Sequence, residues 1–260
     1  MKTKQKFLKT GTLLLFIIFS GLFITSCSDD DTNITDASEV TDEEVIEVLK
    51  SSLVEEGGVI LDIQSTALIM GNNALGKTAN SDFENMPNLS ALNCNQTVSH
   101  SFQNSNTVEP RTWTITRNRT WTLNCDAQNQ SVSFDIDGNG TLDFDGPNLS
   151  KDINRTFDIN VSGVEQASDE WLYSANHNRQ GLIQSHVGNQ NTLNTNLIFG
   201  STDIVVSKIT QQIVSGTFQI NFTATNSNGN TINRGATVVF NGNQTATVTL
   251  NNGTTFDVSW

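Results

Sequence analysis

Positive charge is scarce in this chain. Fourteen Lys and Arg face 27 Asp and Glu, a formal charge of -13, and only 16% of all residues are charged. So acidic a body repels phosphate backbones and anionic headgroups, which argues against nucleic acid as a partner. Histidine is rarer still: His100, His177 and His186 are the three, and no metal-ligand spacing stands out among them. Catalytic signatures are missing as well. The chain has no G-x-S-x-G elbow, no H-E-x-x-H pair and no G-x-x-x-x-G-K-[ST] phosphate loop. No Asp or Glu stands in a context that marks it as half of a glycosidase pair. The expectation is a protein that is not an enzyme, with a hydrolase the weakest alternative.

Apolar runs long enough to cross a membrane are also lacking. The run from Leu13 to Ile24 falls short of the roughly 20 residues a spanning helix needs. It follows Lys2, Lys4, Lys6 and Lys9 and ends in small residues, the layout of a secretory signal peptide over residues 1–26. Ile24-Thr25-Ser26-Cys27 resembles the lipobox of bacterial lipoproteins, in which the cysteine is acylated. Each buried methylene is worth about 0.8 kcal/mol, so two or more chains at Cys27 hold a protein to membrane lipid without a transmembrane helix. Asp29-Asp30-Asp31 resembles the surface-export tag of lipoproteins from the Bacteroidota; a plain acidic tether over residues 27–40 is the other reading. The implied location is the outer membrane, facing the cell exterior. Cleavage before Cys27 removes four lysines and no acid, leaving 10 basic and 27 acidic residues and a formal charge of -17.

Cysteine is the third shortage. With Cys27 acylated, Cys94 and Cys125 remain as a pair in an oxidising compartment. They are expected to form a disulfide, which would stabilise the fold by roughly 3–4 kcal/mol on the chain-entropy model. Two separate buried thiols are the alternative.

What the chain does have is two kinds of periodicity. Thr41-Asp42-Glu43-Glu44 reads as a capping box, and Val45, Val48, Leu49 and Leu53 follow at helical spacing. After Gly57-Gly58, Ile60, Ile63, Ala67 and Met70 form a second stripe that stops near Gly71. A helical pair is therefore expected over 41–71, then a Gly/Asn/Ser-rich linker over 72–92. From 93 to 260 the period changes to two. Ala236, Val238, Phe240, Ala246, Val248, Leu250, Phe256, Val258 and Trp260 share even parity, with Thr, Asn, Asp and Ser between most of them. Turns near 241–243 and 251–253 keep that parity if Phe240 pairs with Ala246 and Leu250 with Phe256. Arg111–Ile115 recurs in form as Arg119–Leu123, either one long strand or a hairpin about Asn118. About a dozen such runs predict a mainly β fold. It would be an antiparallel meander curling into a barrel, half-barrel or sandwich, with an N-terminal pair of short helices.

Two segments could carry chemistry. Asp135, Asp137, Asn139 and Asp143 fall at the ligand positions of a calcium loop, with Gly140 at its sharp turn. Gly146 stands where a bidentate Glu belongs, and the flanks alternate like strands. The competing reading is a hairpin turning at Gly138-Asn139-Gly140, with Ile136 facing Leu142 and Asp135 facing Asp143. Trp171, Tyr173, His177 and Arg179 share one parity and could form a ligand platform, stacking on a sugar ring; the competing reading makes Trp171 and Tyr173 core residues.

The chain as a whole resembles small uncharacterised lipoproteins of flavobacterial type. The carriers of the resemblance are the ITSC lipobox with its acidic tag, the LNC segment at 123–125 and the FNGNQTATVTL run at 240–250. The resemblance implies location and architecture and no activity. The functional expectation is a non-catalytic binding or scaffolding module of the cell envelope, with an envelope partner or glycan as ligand. The alternative is a carrier of an apolar ligand in a curved β-sheet cavity.

Overall fold

A computed structural model describes residues 39–74, 89–165 and 167–260. The signal peptide, Cys27, the acidic tag and most of the tether and linker lie outside the described residues.

Two helices come first. α1 (Asp42–Val54) opens with the expected capping box: the Thr41 hydroxyl accepts from Glu44 N at 3.2 Å, and Glu44 Oε2 accepts from Thr41 N at 2.8 Å. Gly57, at φ +72°, lets the chain reverse into α2 (Val59–Ala74). A β-carbon at Gly57 would sit 2.9 Å from the Leu142 side chain, so this turn is pressed against the sheet. The predicted stripes are buried on both helices. α2 continues past its expected stop, and Gly71 is a point of close approach: the Gln211 side chain occupies the space a β-carbon would take.

A 3-10 turn at Leu89–Ala91 leads into the sheet, which has eleven strands among the described residues. These are β1 (Thr97–Val108), β2 (Arg111–Cys125), β3 (Ser131–Asp145), β4 (Leu149–Ser162), β5 (Glu170–Ser185), β6 (Thr192–Ser207), β7 (Ile213–Ser215), β8 (Thr217–Asn226), β9 (Thr231–Gly242), β10 (Thr245–Leu250) and β11 (Thr255–Ser259). They form one antiparallel sheet in the order β1-β2-β3-β4-β5-β6-β8-β9-β10-β11, with short β7 beside β6. The fold is thus mainly β, as expected, but the sheet is not closed into a barrel. Short turns fix the register. Asp126 Oδ1 accepts from the backbone N–H of Gln128 and Gln130 in the β2–β3 turn. Asn243 and Gln244 both take positive φ, as a two-residue turn between β9 and β10 requires.

The sheet curls around the helices. Lys50 on α1 lies over the Phe256 ring of β11, and Glu55, five residues on and just past the end of α1, meets Arg111 at the start of β2. In a flat sheet those strands, eight spacings apart, would be separated by about 38 Å, at ~4.8 Å per spacing. Five helical residues cover only about 7.5 Å. Side chains cannot bridge the remainder, so curvature must. The apolar parity of every long strand after β1 faces inward onto α1 and α2, and one continuous core results. Among the described residues no helix is long and apolar enough to cross a membrane.

Three local expectations need restating. Arg111–Cys125 is one strand, with Trp113 and Trp121 on the same face. Phe240 does pair with Ala246, but Phe256 pairs with Val248, two residues from the expected partner and with parity kept. Gly138-Asn139-Gly140 is not a turn but the middle of β3. Its glycines serve close approach: the Phe157 ring covers Gly138, where a β-carbon would stand 2.1 Å from it. The disulfide is present, joining Cys94, just before β1, to Cys125 at the end of β2 with an S–S distance of 2.08 Å.

Candidate functional site

The inner face of the sheet is mostly apolar and carries a cluster of arginines. In one cross-strand row Arg117 on β2 faces Gly140 on β3, which faces Arg155 on β4, which faces Arg179 on β5. Arg119 belongs to the next row, opposite Gly138. Above them α2 lowers a single carboxylate, Asp62, fully buried. Its Oδ1 lies 2.9 Å from Arg117 Nη2 and 3.4 Å from Arg119 Nη2; its Oδ2 lies 3.2 Å from Arg155 Nη1 and 3.4 Å from Arg179 Nη2. Arg155 Nη1 also donates to the Gly57 carbonyl at 3.1 Å, and Arg119 Nη2 donates to the Ser65 hydroxyl at 3.2 Å. Aromatic faces take up part of the remaining charge: Arg119 stands over Phe157 and Arg179 over Phe199.

Burial alone would raise the Asp62 carboxyl, but four guanidiniums overcome it and hold the group well below the usual carboxylate range. The arginines pull the other way. Burial pushes Arg155 down to about 9 and Arg119 and Arg179 to about 10, which still leaves them charged at neutral pH. Nearby on β4, buried Lys151 donates to the Ser51 carbonyl at 3.2 Å and lies 4.7 Å from the Phe144 centroid. Burial lowers it to about 7, against the pull of Glu55. His177 stacks on Phe157 and meets Phe218 edge-on, and burial lowers it to about 3. Five of the ten basic residues that follow residue 26, Arg117, Arg119, Lys151, Arg155 and Arg179, are therefore spent inside.

A second feature lies on the opposite face. A depression of about 710 Å³ crosses β1 to β6 and is lined by hydroxyls, carboxamides and two carboxylates, among them Asn118, Asp137, Asn139 and Asp158, together with Arg119, Phe157 and His177. Asn118 Nδ2 donates to Asn139 Oδ1 at 3.0 Å, and Asn176 Nδ2 donates to Asp158 Oδ1 at 3.0 Å. Asn178 Oδ1 is buried and accepts no hydrogen bond. Ile198 supplies an apolar surface at the far side.

Against this background the sequence candidates sort clearly. Asp135, Asp137, Asn139 and Asp143 do not wrap around a point; they are spread along the outward parity of an extended strand. Asp135 accepts from Asn124 and Asn160 at 2.8 and 2.7 Å, bridging β2 to β4. Asp143 faces Asp152, not Asp135, and Asp137 faces Asp158. Among the described residues no group of three or more His, Cys, Asp or Glu is arranged to hold a metal. Trp171, Tyr173, His177 and Arg179 do share a face, but it is the inner one, at 4%, 0%, 2% and 1% exposure. That corrects the sugar platform: these aromatics are core, Tyr173 donating to Met70 Sδ on α2. Sequence reasoning found Arg179 for the wrong reason and missed Asp62, Arg117, Arg119 and Arg155. The signal was present, since each arginine sits at the apolar parity of its strand. Comparison with protein-family models, with curated proteins and with solved structures finds no match for this chain.

Proposed function

We propose that the chain is an outer-membrane lipoprotein, held by acylated Cys27 and facing the cell exterior, whose β domain is a non-catalytic binding module. The basic n-region, the short apolar run and the lipobox support the anchor; the acidic tag supports outward display. The observation that carries the binding role is the outer-face depression. Its hydroxyls and carboxamides offer both donors and acceptors at close spacing. Such a surface exchanges hydrogen bonds with the hydroxyls of a glycan, while Ile198 gives a ring face something apolar to rest on. Retention on immobilised polysaccharides tests this, with the full chain against an Asn139→Ala/Asn178→Ala variant. A weakening of tenfold or more in the variant is expected. Equal retention of the two proteins would remove the depression from the account.

The carrier reading has one observation in its favour. The inner face is not uniformly greasy, and a chain that merely needed a core would gain little by burying four arginines. In this structure the helix pair fills that face, so a carried molecule would have to share it with the helices or displace them.

A further inference from the structure

The arginine cluster has more charge than its partners can balance. Four guanidiniums meet one carboxylate, which leaves three positive charges in the core. The nearby acids are committed elsewhere. Glu55 stands 4.0 Å from Lys151, and Glu44 accepts from the N-cap of α1 and from Asn191 N at 2.7 Å. Each uncompensated buried ion is costly to hold away from water.

The same residues leave donors idle. Arg155 uses Nη1 for Asp62 and Gly57, while its Nε and Nη2 are buried and have no hydrogen-bond partner. Those two nitrogens form one edge of the guanidinium, the fork that takes two oxygens of a carboxylate or phosphate at once. The Nε of Arg117, Arg119 and Arg179, and Nη1 of Arg179, are also buried and unpartnered. Water could accept these hydrogen bonds but would leave the charge unbalanced.

We infer that the inner face of the sheet holds an oxyanion, phosphate or carboxylate in chemistry, gripped by the free Nε/Nη2 edge of Arg155 and neutralised by Arg117, Arg119 and Arg179. The anion is either a free ion or the headgroup of an anionic amphiphile. Arg119 also borders the proposed glycan surface, but the free edge of Arg155 does not, so the grip on the anion does not depend on that surface.

The test uses the full chain in neutral detergent, melted in sodium phosphate, in sodium chloride of equal ionic strength, and in chloride with decyl phosphate. A melting temperature about 3 °C or more above the chloride control is expected, the size of shift a ligand well above its Kd gives a chain of this length. A shift with phosphate alone identifies a free ion; a shift with decyl phosphate identifies a headgroup. Arg155→Lys keeps the charge and loses the fork, so it should abolish the increment. If that variant fails to fold, native mass spectrometry of the unmodified protein for a bound phosphate or anionic lipid replaces it. Melting equal to the chloride control together with a bare mass would overturn the inference. So would an increment that survives in Arg155→Lys.

Discussion

Arg155 Nη1 lies 3.2 Å from Asp62 Oδ2 and 3.1 Å from the Gly57 carbonyl, so one guanidinium from β4 holds both the turn between the helices and the body of α2. The helix pair is fixed to the sheet by a charged contact at its centre and by apolar packing around it. Lys151 does the same for α1 through the Ser51 carbonyl.

Asp62→Asn tests the central contact. The substitution keeps the shape and deletes the one carboxylate among four guanidiniums. Breaking a buried ion pair from one side costs about 3–5 kcal/mol, and a loss in that range is expected on urea denaturation. A loss below about 1 kcal/mol would mean that the cluster is neutralised by something other than Asp62.

Acid should weaken the fold through His177. Its folded value of about 3 lies below the ordinary 6.5, so folding favours the neutral ring. The His177 contribution is intact above pH 6.5 and falls below it, by about 1.4 kcal/mol per unit at most, until pH 3. Asp62 adds a separate loss that begins only as pH drops below its unfolded value, near 4. His177→Phe, which preserves the stacking with Phe157 and Phe218, should flatten the curve between pH 6.5 and 4.5. An unchanged slope there would show that other groups carry the acid sensitivity.

The Cys94–Cys125 bridge closes a sequence separation of 31 residues. The chain-entropy model gives roughly 3–4 kcal/mol for a loop of that size. A Cys94→Ser/Cys125→Ser pair should lose that much while keeping the same circular-dichroism spectrum. A spectrum that changes would mean that the bridge shapes the β1–β2 edge as well as stabilising it.

Cys27→Ala is expected to move the protein from the membrane fraction to the soluble one after export, because acyl chains are its proposed hold on lipid. A variant that still pellets with membranes would point to a different anchor.

The β architecture was legible because period-two alternation runs through every long strand, and the capping box at Thr41 and Glu44 fixed the start of α1. The centre of the fold was less so. Gly138-Asn139-Gly140 has the composition of a turn, and only the Phe157 ring across the sheet explains why the chain stays extended there. Arg117, Arg119, Arg155 and Arg179 occupy inward parity, yet a strand pattern cannot say that an aspartate from α2, at least 55 residues earlier in sequence, will meet all four. Long-range charge pairing leaves no local periodicity. Tyr173 and Trp171 were ambiguous for a simpler reason: parity gives a face, and only the helices lying on it say which face is dry.

Amide hydrogen exchange on α2 is the measurement that separates a display module from a carrier. If the helix pair is a permanent part of the core, amides of Val59–Ala74 should open only with the sheet, at the same free energy as those of β4 and β5. Amides of α2 that exchange well ahead of β4 and β5, while those strands stay protected, would contradict this and make the helices a lid over the arginines.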